Sequence, residues 1–490
     1  MLTLYLTILG LACLLGIHRF VMVISYLRYR NAPPGSGPCH RANITIQLPI
    51  FNERNVVEQL LNSICALQWS HGTIEIQVLD DSTDDTQEIL QQLVSHYQAQ
   101  GIQIHYLHRK KRTGYKAGAL EEGLKTAKGE FLAIFDADFT PQPDFLESAM
   151  GHFISDRVGM VQARWEHQNR EQNLLTALSS IYLDGHFVIE HTTRNRSGRF
   201  FNFNGTAGIW RRRCIEDAGG WQHDTITEDL DLSYRAQLRG WQFIYLRDVT
   251  APAEIPDHMS AFAAQQFRWA KGTTQTAIKL GSSIWKAPIS FWTKLEASIH
   301  LFGNIGYLLI LCLTILMPHS APLRFEKYQG HFLLDTLDIS LFLFSTAGVL
   351  LFYGLSQKEI GALRSIKKLF LIPLTIGLGI GLSFQQTRAV FQGIRNADQV
   401  FVRTPKQGRQ RIKQYTLSDS PKGWVELILG LYCLISMLSL LLQGIVYPLP
   451  FLALFSFGYC YVGFGLLAPQ RHQAQALSSE FTPEIRQPSK

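Results

Sequence analysis

Apolar residues gather into two kinds of run along this chain. Long, nearly uncharged runs occupy Met1 to Leu27 and residues 298–317, 338–354, 424–444 and 446–466. Each approaches the roughly 20 residues that a helix needs to cross a bilayer. Between residues 40 and 290 apolar and polar positions interchange over shorter distances. Four β-rich runs stand out there: ITIQLPI (44–50), IEIQVLD (74–80), IQIHYLH (102–108) and EFLAIFD (130–136), separated by segments of helical spacing and length. The pattern predicts an α/β domain with a largely parallel sheet and crossover helices, held by membrane helices at both ends.

Charges flanking the apolar runs set their orientation. The first run lacks the basic N-terminal flank of a signal peptide and is followed by Arg28, Arg30 and Arg41, which keeps residue 28 onward on the cytoplasmic side. The link 388–423 holds Arg388, Arg395, Arg403, Lys406, Arg409, Arg411, Lys413 and Lys422 and belongs on the same side. Crossings at 298–317 and 338–354 already bring the chain back, so the apolar segment 369–384 need not cross. It is short, contains Pro373, Gly377, Gly379 and Gly381, and is expected to be interfacial or re-entrant. The predicted organisation is a membrane helix at 1–27, an α/β domain at 40–290, a membrane domain at 291–470 and a C-terminal tail at 471–490.

Composition narrows the partners. With 490 residues and 46% hydrophobic content the chain can bury a sizeable core. A formal charge of +7 suits nucleic acid, an anionic membrane face or a phosphate-bearing substrate. RNRSGR (194–199) and RRR (211–213) have no nucleic-acid motif beside them, so no nucleic acid is expected, and a basic rim near a diphosphate or membrane lipids accounts for them. The seven cysteines form no CxxC pair, which argues against a zinc site or a disulfide framework. Sequons at Asn43, Asn195 and Asn204 fall in the domain predicted to be cytoplasmic and should stay unmodified.

Candidate chemistry sits at the strand ends, where parallel sheets bind their ligands. Asn52 and Glu53 follow the first run, Asp80 and Asp81 the second, and Asp136 and Asp138 the fourth. Two carboxylates one residue apart, as in FDADFT (135–140), repel each other and are best explained by a bound cation. Oxygen ligands alone favour Mg2+ or Mn2+, which commonly bridge carboxylates to substrate phosphates. Lys116 in GYKAGAL would add a positive contact to a diphosphate, and Glu53 and Asp81 would accept hydrogen bonds from base or ribose. Singly, each has a structural reading: DDSTD (80–84) as turn and helix cap, Thr225 and Glu228 as a capping box that leaves Asp229 an ordinary first-turn acid, and Lys116 as a solvated lysine. Their joint order along one α/β domain favours a site.

The motifs QLPIFNE (47–53), QVLDDSTD (77–84), GYKAGAL (114–120), AIFDADF (133–139), VQARW (161–165), FNGTAGIWR (203–211), EDLDL (228–232), QQFRW (265–269) and FVRTPK (401–406) resemble those of processive family 2 glycosyltransferases. Among these the chain is most similar to the cellulose-synthase-like A proteins, β-mannan and glucomannan synthases. The resemblance covers essentially the whole domain at 40–290 and continues more weakly into the membrane region. It implies a GT-A fold, a nucleotide-sugar donor, a divalent metal and an inverting transfer that forms a β-linkage. Carried over by position, Asp80 and Asp81 belong to the nucleotide pocket, Asp136 and Asp138 to the diphosphate and metal, and Asp229 is the general base. Gln265, Arg268 and Trp269 match a QxxRW motif, with the indole as acceptor platform and the polar pair near the diphosphate. Phe401, Thr404 and Lys406 resemble a gating loop, in which Arg403 stands where valine is typical.

Together these imply a membrane-embedded hexosyltransferase using GDP-mannose or UDP-glucose, multi-pass in a plasma, inner or Golgi membrane. Its acceptor is a growing mannan or glucomannan, with a β-glucan, or a lipid such as ceramide or diacylglycerol, as alternatives. The five expected spans are few for an export pore, which leaves room for a homo-oligomer or an accessory export subunit.

Overall fold

In a computed structural model, residues 1–39, 41–328, 332–361, 366–395 and 422–468 are described. The chain opens with helix α1 (Leu2–Tyr29) and then alternates strand and helix: β1 (Ile44–Ile50), α2 (Val57–Cys65), β2 (Ile74–Asp80), α3 (Thr86–Ala99), β3 (Ile104–His108), α4 (Tyr115–Thr126), β4 (Phe131–Ile134), α5 (Phe145–Met150) and β5 (Val158–His167). After α6 (Leu174–Asp184) comes a π-helical turn (Gly185–His191), then α7 (Thr192–Arg196), β6 (Gly208–Arg211), α8 (Arg212–Asp217), α9 (Glu228–Leu238) and β7 (Gln242–Ala253). Helices complete the described chain: α10 (Met259–Lys286), α11 (Phe291–Phe302), α12 (Ile305–Tyr328), α13 (Phe332–Glu359), α14 (Ile366–Gly381), α15 (Ser383–Ile394), α16 (Trp424–Leu442) and α17 (Leu449–Leu467).

The strands form one sheet in the order β3-β2-β1-β4-β6-β5-β7. The pairs β1–β2, β1–β4, β2–β3 and β5–β7 are parallel, and β6 runs antiparallel to both β4 and β5. Helices on both faces explain why the inner strands read as apolar runs rather than as alternation. Ile44, Ile46, Leu48, Val78 and Ile76 fill one face; the polar exceptions are matched across the ladder. Thr45 donates to Glu75 at 2.7 Å and Gln47 to Gln77 at 3.0 Å, each opposite the other in register.

Strands 44–50 and 74–80 fold over the expected spans, and the other two are trimmed. β3 starts at Ile104, because Gly101 adopts φ +84° and the Ile102 amide bonds back to the Tyr97 carbonyl, so residues 100–102 close α3. β4 stops at Ile134: Phe135 N–H still reaches the Gln47 carbonyl of β1, and Asp136 N–H then turns away to donate to the Thr206 hydroxyl.

Among the described residues four helices are long and apolar enough to cross a membrane: Leu2–Tyr29, Ile305–Glu326, Trp424–Leu442 and Leu449–Leu467. They mark the chain as a membrane protein. The expected crossing at 298–317 is displaced. Ser290 caps a separate helix α11, which ends before Gly303, and the apolar span begins at Ile305. The segment expected to be interfacial or re-entrant lies in α14, which is bent by 47° from α15, the geometry of a broken span or a re-entrant loop. Its seat is glycine-made: a Cβ on Gly381 would lie 2.1 Å from the Gly458 carbonyl of α17, an approach only a bare α-carbon permits.

Candidate active site

The strand order places β2, β1 and β4 side by side, all pointing the same way. The chain moves outward from β1 through β2 to β3 and then returns to the other flank as β4, so a crevice opens beyond the carboxyl ends of β1 and β4. One cleft at that edge is lined by Glu53, Asp81, Lys116, Asp136, Asp138, Asp229, Gln265, Arg268 and Trp269, among others. Nine residues singled out from sequence thus line one cleft.

Asp80 does not. Its side chain is fully buried beneath the cleft, where it accepts hydrogen bonds from Ser82 N–H (2.9 Å) and the Tyr106 hydroxyl (2.6 Å) and lies 3.2 Å from His108 Nδ1. It fixes the turn that presents Asp81. Asp81 in turn is gripped in bidentate fashion by Arg109, Nε to Oδ1 at 2.8 Å and Nη2 to Oδ2 at 2.5 Å. Phe401, Thr404 and Lys406 lie outside the described residues.

Lys116 is delivered by the start of α4, where Gly114 and Tyr115 both take positive φ. Its Nζ donates to Asp136 Oδ1 at 2.5 Å and to the Gly205 carbonyl at 2.8 Å. Burial works against the ammonium, but Asp136, Glu228 and Asp229 around it hold its pKa above the ordinary value. Gly205 has φ +80°, and a Cβ there would lie 3.1 Å from Asp229 Oδ2 and 3.3 Å from Lys116 Nζ. The loop can run this close to Asp229 and Lys116 only because the residue is glycine.

Glu228 and Asp229 stand in the first turn of α9. The capping box read from Thr225 and Glu228 does not form: the cap position is Thr227, with no side-chain cap bond. Burial pushes Asp229 up to about 6, against the pull of Lys116, and burial with the neighbouring Asp229 charge pushes Glu228 up to about 7. A base with a raised pKa is protonated and inactive at lower pH, so kcat/KM should climb through about pH 6 to 7 and level off above. A flat profile between about pH 5 and about pH 8 would remove Asp229 from the role of base.

On the opposite wall α10 contributes Gln265, Arg268 and Trp269. Burial lowers Arg268 to about 10, with Glu228, Asp136 and Asp229 opposing, so it remains a cation at neutral pH. Trp269 tilts toward Trp165, ring centres 6.5 Å apart, which makes an aromatic wall. Sequence reasoning gave no role to Trp165, His167, Arg112 or Asn204, which also line the cleft. VQARW and FNGTAGIWR were visible as motifs, but His167 and Arg112 carry no pattern of their own. Burial holds His167 neutral, with its pKa lowered to about 4.

Among the described residues no three His, Cys, Asp or Glu side chains converge as a self-sufficient metal cage. Asp136 and Asp138 in an open cleft nonetheless fit Mg2+ or Mn2+, which take one or two carboxylates and complete their shell with phosphate oxygens and water.

Sheet order and cleft together define a GT-A-type transferase fold. Residues 45–216 match the glycosyl transferase family 2 profile and residues 131–356 that of glycosyl transferase family group 2. The chain is 40% identical over 291 residues to glucomannan 4-beta-mannosyltransferase 2 of Arabidopsis thaliana, covering 56% of this chain and 54% of that protein. It is 33% identical over 416 residues to the probable glucomannan 4-beta-mannosyltransferase 3 of the same plant, covering 79% of this chain and 71% of the relative. The chain belongs to glycosyl transferase family 2, and its match spans about half the length of the first of these relatives. Among solved structures, mannosyltransferase PcManGT from Pyrobaculum calidifontis, in complex with GDP-Man and Mn2+, shares the fold with a TM-score of 0.51 at 18% identity, covering 80% of this chain and all of that one.

Proposed function

We propose that the protein is a membrane-embedded inverting hexosyltransferase that moves mannose from GDP-mannose onto a growing β-linked mannan or glucomannan. The observation that carries this reading is the single cleft joining Asp136, Asp138, Asp229, Arg268 and Trp269 from three separate parts of the chain. The relatives named as glucomannan 4-beta-mannosyltransferases support mannose as the sugar.

Asp136 and Asp138 would hold Mg2+ or Mn2+, which supplies neutralisation of the leaving diphosphate. Lys116 and Arg268 flank the same charge from two sides. Trp269, with Trp165 beside it, offers a ring face for an acceptor sugar, and Asp229 takes the proton of the acceptor hydroxyl as it attacks the anomeric carbon. The sugar–phosphate bond breaks as the new glycosidic bond forms; the electron pair leaves with the nucleoside diphosphate and the proton stays on Asp229. Glu53 and Asp81 face the nucleoside end, while Asp80 supports Asp81 from below. Arg28 in the last turn of α1 and Arg30 just after it favour a cytoplasmic cleft, and Phe401, Thr404 and Lys406 remain assigned to a gating role on the same side.

Membranes containing the full chain should incorporate label from GDP-mannose into polymer that β-mannanase releases. Label from UDP-glucose released by cellulase would make the product a β-glucan, and a chloroform-soluble monoglycoside would make the acceptor a lipid. Trp269→Ala should shorten the polymer; unchanged product length would remove the acceptor platform from the mechanism.

A further inference from the structure

Between α6 and α7 the helix winds with i→i+5 bonding through Gly185–His191, a rare geometry in proteins that is common at functional sites. In an α-helix, residues five apart point about 140° away from each other. The wider turn instead brings the imidazoles of His186 and His191 within 4.2 Å, centre to centre, on one side. Between them they hold one side chain, Asn204, which lines the active cleft.

The bonds have a consistent direction. His191 Nε2–H donates to Asn204 Oδ1 at 2.5 Å, Asn204 Nδ2–H donates to His186 Nε2 at 3.1 Å, and His186 Nδ1–H donates to Glu190 Oε2 at 3.1 Å. His186 must be neutral for this chain of donors to close, since its Nε2 accepts, and burial keeps both imidazoles well below their ordinary pKa. Glu190 is fixed at the far end by ion pairs with Arg19 of α1 and Arg194 of α7. Arg194 is shared with Glu296 of α11, which also binds His18 of α1.

What Asn204 carries is the loop beneath the reacting groups. Gly205 supplies the carbonyl that holds Lys116, its bare α-carbon faces Asp229, and the Thr206 hydroxyl accepts from Asp136 N–H. Gln162 takes the Asn204 amide and bonds the Thr206 and Ala207 carbonyls, while Ala207 has φ +56°, a conformation that non-glycine residues seldom hold unaided.

We propose that the π-turn is a clamp on this loop, and that His186 and His191 are positioning residues for glycosyl transfer, acting through Asn204 on the Gly205 carbonyl and Lys116. The clamp is tied to the membrane helix α1 through Glu190. This deepens the function proposed above and rests on it.

The test uses the full chain in membranes or nanodiscs. His191→Phe keeps the ring and loses the bond, and His191→Gln returns an N–H donor. The clamp predicts that His191→Phe speeds backbone amide exchange at residues 203–208 by about tenfold or more while β1 and β2 are unchanged, and that His191→Gln reverses this. It predicts a kcat loss of about tenfold or more in His191→Phe, with a smaller change in donor KM, largely restored in His191→Gln. The double variant His191→Phe/Asn204→Ala should be no slower than Asn204→Ala alone. Unchanged exchange at 203–208, or additive losses in the double variant, would overturn the clamp. Absence of transfer by the unaltered protein from either nucleotide sugar would instead overturn the transferase reading, and the exchange comparison would still judge the clamp.

Discussion

Asp229→Asn will reduce sugar transfer by about 10²- to 10⁴-fold while leaving the fold and donor binding intact, the range spanned by loss of a positioned acid–base group. Asparagine matches aspartate in shape and keeps the oxygen that accepts from Leu230 N–H at 2.8 Å at the start of α9. It cannot accept the hydroxyl proton. Because Asp229 sits near Lys116 and beneath the bare α-carbon of Gly205, the change also removes one negative charge from a crowded set, so donor affinity should hold or improve. Glu228 is the nearest substitute base, and its carboxyl is already raised to about 7. A rate within threefold of the unaltered protein, measured with saturating donor, would pass the base role to Glu228.

Chelation and Asp138→Asn will each suppress turnover by about 10²-fold or more, as expected when leaving-group charge loses its stabilisation. Mn2+ or Mg2+ added back should restore the chelated protein and fail to restore Asp138→Asn at the same concentration. Asp136 is paired with Lys116 at 2.5 Å and Asp138 lines the same cleft, so Asp138→Asn removes a charge from the proposed cation site without breaking that ion pair. Turnover that is undisturbed by EDTA would leave Lys116 and Arg268 as the counter-charges to the diphosphate and would withdraw the metal role from both aspartates.

The parallel half of the sheet was legible because its strands are buried on both faces and therefore read as uninterrupted apolar runs. β6 was not: GIWR offers four residues between a loop and the start of α8, and its antiparallel insertion between β4 and β5 depends on contacts far apart in sequence. The candidate site was legible where side-chain chemistry marks strand ends, as at Glu53, Asp81, Asp136 and Asp138. It was illegible where the backbone acts. The part played by Gly205 rests on a positive φ and a carbonyl, and that of His186 and His191 on a helical pitch that no 3.6-residue periodicity announces. Asp80 shows the converse, since its type and place suggested a ligand contact and burial instead gives it the task of shaping the turn before Asp81.

The ammonium of Lys116, lodged between Asp136 and a main-chain oxygen, acts as a resident counter-ion. Donor binding is therefore an exchange of salt bridges rather than a simple addition of charge. A lone divalent ion meets a carboxylate that is already neutralised and gains little, whereas a nucleoside diphosphate arriving with its ion gives the lysine a new anion to turn toward. Order of addition follows from that one contact: donor and ion should enter as a pair.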